Sequence, residues 1–117
     1  MRNILFLALL TLSGCAIYSH ETMVSTFLLE GGIRVTPPND NNKYHIVELW
    51  EKKPEGGDMH SYRTDSPETR LRTVKHLFRG ASCTEILVHN ETQFTESYLN
   101  KKWLNGNWWR LQVECVK

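Results

Sequence analysis

A run of apolar residues from Ile4 to Leu12, broken only by Thr11, comes after the one basic residue of the N-terminal segment, Arg2. No other feature constrains the fold as much, because it decides which residues fold at all. A helix that spans a membrane needs roughly 20 apolar residues. This run is far shorter and suits the apolar region of a secretory signal, about 7–15 residues. Such a signal is removed after export, so it belongs to no core. The remaining chain then folds in an oxidising compartment.

The run leads into Leu12-Ser13-Gly14-Cys15, which resembles the lipobox of bacterial lipoproteins. The two small residues let an extended backbone enter a narrow peptidase cleft, and the cysteine supplies the sulfur that takes a diacylglycerol. The resemblance covers residues 1–15. It implies a signal peptide of residues 1–14, cleavage before Cys15 and acylation, palmitate included, at Cys15. Residues 15–22 are then a lipidated N-terminus with a short tether, and residues 23–117 a single globular domain. In double-membrane bacteria an Asp after the lipidated cysteine typically retains such proteins in the inner membrane. Ala16 stands there instead, so the expected place is the cell envelope, at the outer membrane facing the periplasm.

The 117 residues are one domain's worth of chain. With 40% hydrophobic and 23% charged residues, the chain is too apolar to be disordered. The formal charge of +1 falls to zero once Arg2 is removed, which excludes the basic excess of a nucleic-acid binder. Two cysteines remain in the mature chain, Cys83 and Cys115. In an oxidising compartment a leftover pair reads as a disulfide. Closing a loop of about 30 residues stabilises by roughly 3–4 kcal/mol, a large share of the ~5–15 kcal/mol available to a domain.

The pattern of elements predicts an α+β fold, a small antiparallel sheet with one α-helix packed on one face. Met23 to Glu30 is apolar and β-branched and reads as a strand, Gly31-Gly32 as a turn, and Ile33-Arg34-Val35 as a second strand. Thr36 to Asn42 is a loop by composition. Lys43 to Glu51 reads as a strand with His45, Val47 and Leu49 on one face and Tyr44 and Ile46 on the other. A turn over residues 53–58 would return it as a strand over Met59 to Thr64, completing a hairpin. Ser66, Pro67 and Glu68 signal a helix start, and Leu71, Val74 and Phe78 make one apolar stripe before Gly80 stops the helix near Arg79. Thr84 to His89 reads as a strand. Trp109, Leu111, Val113 and Cys115 alternate with polar residues in a last, half-buried strand. Asn105-Gly106 marks a hairpin turn. A three-residue loop there pairs Trp103 with Trp109 and Leu99 with Val113. Phe94 to Lys102 fits either a helix or a strand.

Catalytic signals are sparse. The histidines His20, His45, His60, His76 and His89 form no metal-ligand spacing, so neither a metal nor another cofactor is expected. No nucleophile elbow or phosphate loop occurs, and the disulfide takes both cysteine nucleophiles. The expectation is therefore a non-enzyme. Trp103 and Trp108 cluster near Asn105-Gly106. Trp108 has the opposite parity to Trp109 and should face outward, with a basic rim of Lys101, Lys102 and Arg110. Exposed aromatic residues are enriched at contact surfaces, so Trp103 and Trp108 are the candidate partner-binding residues. The chain reads as a membrane-anchored binding or accessory subunit with an envelope protein as partner. The alternative is an inhibitor or immunity lipoprotein directed against a hydrolase or toxin.

Overall fold

The computed structural model describes residues 19–51 and 62–117. It shows an α+β fold, a four-stranded antiparallel sheet with two helices on one face. Helix α1 (His20–Glu30) leads into β1 (Ile33–Thr36) and β2 (His45–Trp50). Helix α2 (Pro67–Leu77), β3 (Glu85–Glu96), a 3-10 turn (Lys102–Leu104) and β4 (Gly106–Val116) come next. The sheet order is β1-β2-β4-β3, with every pairing antiparallel. No helix among the described residues is long and apolar enough to cross a membrane. The expected turn at 53–58, residues 59–61 and the segment with Cys15 lie outside the described residues.

The segment expected as a first strand is α1. Ser19 caps it, its hydroxyl accepting a hydrogen bond from the Thr22 backbone N–H at 3.2 Å. His20, Val24 and Phe27, spaced by four and three residues, form its buried face. Gly31 ends the helix in the left-handed region at φ 94°, which suits a residue without Cβ. The helical spacing outweighs the β-branched composition because one face can then reach the core. Helix α1, capped by Ser19, thus begins ahead of the expected domain boundary at Met23.

Register explains the two faces of the sheet. Ile33 pairs with Leu49, Leu49 with Trp109, Val47 with Leu111 and His45 with Val113, so these residues share the helix-covered face. Val24, Phe27, Val74 and Phe78 pack on it with Tyr62. Burial without a charged neighbour to offset it pushes the Tyr62 phenol above its ordinary range. The strand expected over Met59 to Thr64 as the partner of β2 does not appear among the described residues. Residues 62–64 form no strand, and β2 lies between β1 and β4.

Helix α2 begins as expected. Ser66 and Thr69 form a reciprocal capping box, and Phe78 is the C-terminal cap. The inward face is Arg70, Thr73 and Val74, continued by Phe78. Leu71, expected in the stripe, is only half-buried, at the helix edge. Two contacts join the helices. The Thr73 hydroxyl donates to the Thr69 carbonyl and so accepts from His20 Nε2 at 2.8 Å. Arg72 grips Glu21 through two bonds of 2.8 and 3.0 Å.

The strand expected over Thr84 to His89 continues to Glu96 and pairs with all of β4, from Glu85↔Val116 to Glu96↔Gly106. A bulge between Val88 and Asn90 leaves His89 unmatched. Residues 97–105 make the connection, in place of the expected three-residue loop. Trp103 therefore does not pair with Trp109, nor Leu99 with Val113. Asn105 is a clasp within this connection, its side-chain carbonyl accepting from the Tyr98 N–H. Cys83 and Cys115 are joined, with Cα atoms 5.2 Å apart, tying the α2–β3 connection to the last strand.

Candidate interaction surface

The connection over 97–105 shapes the end of the molecule where the sequence places its aromatic cluster. Trp108 is the register neighbour of Trp50 and Phe94; Trp108 and Phe94 lie on the sheet face away from the helices, while the Trp50 ring, at the end of β2, also meets Phe27 of α1 at 5.6 Å between centroids. The connection folds over them. Leu104 is buried, and its carbonyl accepts a hydrogen bond from Trp108 Nε1 at 2.9 Å. Tyr98 lies 6.1 Å from the Trp108 ring, centroid to centroid. The Arg34 guanidinium sits 4.3 Å over that ring and donates to the Tyr98 hydroxyl.

Trp108 is thus on the face its parity assigns, but it is 0% exposed. This corrects the expectation that it contacts a partner. The 97–105 connection, which directly precedes β4, folds back over it together with the distant Arg34 and makes it the centre of a second small core. Arg110 is not part of a basic rim either. It pairs with Glu48 at 2.9 Å and lies over Phe94 at 4.2 Å.

Trp103 keeps its place at the surface. It is 42% exposed, with its ring centroid 5.1 Å from that of Trp50 and 6.0 Å from that of Phe27. Lys101 reaches the C-terminal end of α1 and donates to the Glu30 carbonyl at 2.7 Å, an orphan acceptor of the helix end. This contact joins the connection to the last turn of α1, and both elements carry exposed apolar residues that sequence patterning missed. Leu28 (44% exposed) and Leu29 (88%) stand on that turn, and Leu99 (92%) on the connection. Lys101 and Lys102 are both exposed. The missed signal is the outward phase of Leu28 and Leu29, readable only once α1 is a helix.

Elsewhere polar groups hold elements together. Arg70, nearly buried, donates twice to Glu91 at 3.0 Å and once to the Thr64 carbonyl. Its guanidinium stacks 3.7 Å over Trp109, so it fastens α2 to β3 and β4. His89, at the bulge, lies 2.7 Å from Glu114 and stacks on Tyr44. His60 lies outside the described residues, and the described residues hold no group of three potential metal ligands. A shallow trough of about 510 Å³ runs between α2 and β3, lined by Pro67, Leu71, Ile86 and Val88 among others.

Comparison with protein-family models, with curated proteins and with solved structures finds no match to this chain.

Proposed function

We propose that the chain is a lipid-anchored protein of the bacterial envelope that acts by binding, as a non-enzymatic accessory subunit. The observation that carries this reading is the spacing between Leu12-Ser13-Gly14-Cys15 and the capped start of α1 at Ser19. Cleavage before Cys15 would remove only residues that precede the described fold and leave an acylated cysteine four residues ahead of it. Four extended residues span at most about 14 Å, so the domain would work against the membrane that holds its anchor. Ala16 favours the outer membrane. The joined Cys83 and Cys115 suit an oxidising compartment.

The contact surface in this reading is the end bearing Trp103, with Leu28, Leu29 and Leu99 around it. Trp108 holds the connection through its bond to the Leu104 carbonyl. Fractionation and crosslinking test the reading together. Wild type should sediment with outer membranes and crosslink there to an envelope component. Cys15→Ser should be released to the soluble fraction. Equal membrane association of both proteins would contradict the anchor, and a soluble hydrolase as the sole tight partner would contradict the accessory role.

A further inference from the structure

We infer that the exposed turn of α1 and the adjoining connection form a seat for an anionic lipid surface, with Leu28, Leu29, Leu99 and Trp103 entering the headgroup layer. Leu29 and Leu99 are 88% and 92% exposed, on separate elements joined by the Lys101 contact to Glu30. Single exposed leucines are ordinary, whereas a group of large apolar side chains on one end marks an interaction site. These side chains protrude. A protein hot spot is usually a close-packed, desolvated centre. A bilayer accepts protruding leucines and a half-exposed tryptophan at its interface and leaves lysine heads at the level of the phosphates.

Charge and reach point the same way. Lys101 and Lys102 have no ion-pair partner among the described residues, and Glu30 is the acidic residue on the turn they adjoin. The exposed positions of α1 from Thr22 to Leu29 are Thr22, Ser25, Leu28 and Leu29, all uncharged. Helix α1 is about 16 Å long at 1.5 Å per residue, and its cap at Ser19 stands four residues after Cys15. Lying along the bilayer, it places the seat on the surface to which the anchor is fixed. The inference takes the nearness of a membrane from the lipid-anchored reading, but the affinity of the seat is a property of the folded domain.

The test therefore uses the mature chain, residues 15–117, with Cys15→Ser so that no acyl chain contributes. Its sedimentation is measured with vesicles of phosphatidylcholine alone and with vesicles containing phosphatidylglycerol. Binding to the anionic vesicles is expected. Leu29→Ser with Leu99→Ser should weaken it about tenfold while leaving the thermal melt unchanged, because both side chains are in solvent. Lys102→Gln should reduce the preference for anionic over neutral vesicles. Absence of vesicle binding, or equal binding by the double leucine variant, overturns the seat even if fatty acid is found on Cys15 in cells. If the double variant binds vesicles like wild type but loses an envelope protein in crosslinking, the surface serves a protein and not the lipid. An unacylated Cys15 in cells would count against the anchor and leave the vesicle result to stand by itself.

Discussion

At the scale of single residues, Trp108 shows what parity can and cannot tell. Alternation along Trp108 to Cys115 correctly puts Trp108 and Trp109 on opposite faces. Exposure depends on what covers each face, and Tyr98, Leu104 and Arg34 reach Trp108 from other elements. That cover is set by a connection whose length the sequence does not announce. Trp108→Ala should destabilise the fold by about 3–5 kcal/mol, the usual cost of emptying a large aromatic site. Trp103→Ala should cost much less, since its ring is partly in water. Equal denaturation midpoints for wild type and Trp108→Ala would mean that the connection does not close over this ring. The role of Arg70 is equally hidden in the sequence, because its partners Glu91, Trp109 and Thr64 come from three segments. Arg70→Ala leaves Glu91 half-buried without its cation and should cost roughly 2–3 kcal/mol, less than the 3–5 typical of a fully buried broken pair.

At the scale of elements, the strongest local signals are legible in the sequence. The Ser66-Pro67 start of α2 and the alternation in β4 have strong chemical causes, a capped N-terminus and a half-buried sheet face. The α1 segment misleads, because Val24 and Thr26 favour strands in composition, while the Ser19 cap and Gly31 stop favour a helix. Helix α1 packs beside α2 through the His20–Thr73 bond and the Glu21–Arg72 pair. The Arg72 guanidinium bonded to Glu21 holds its carboxyl well down, at about 2. Its folded value is thus below the ordinary carboxylate range near 4.5. The stabilisation is fully present above pH 4.5 and is lost as pH falls toward 2. Glu21→Gln should therefore lose less stability than wild type across that window, as read from melts at successive pH values. Parallel curves would show that the pair does not couple the helices. For α2, Phe78→Ala should cost about 3–5 kcal/mol, since Phe78 is buried against the core and packs on His45.

At the scale of the whole molecule, one covalent bond organises the described fold, and the proposed anchor would add a short tether. The Cys83–Cys115 bond ties the α2–β3 connection to β4. Its pairing is legible once the lipobox resemblance sets Cys15 aside, since the two remaining cysteines allow one pairing. Replacing both with serine should cost about 2–5 kcal/mol, measured against wild type under non-reducing conditions. The proposed contact surface is legible only in part. Trp103 is exposed near the aromatic cluster that the sequence shows, whereas the exposure of Leu28, Leu29 and Leu99 depends on α1 being a helix and on the course of the connection. In the proposed reading, Cys15 holds this domain at a membrane. The mass and N-terminal residue of the protein extracted from membranes test it most directly. The predicted result is a chain that begins at Cys15 and carries a diacylglycerol on its sulfur. A chain that still begins at Met1, or an unmodified Cys15 thiol, would contradict it.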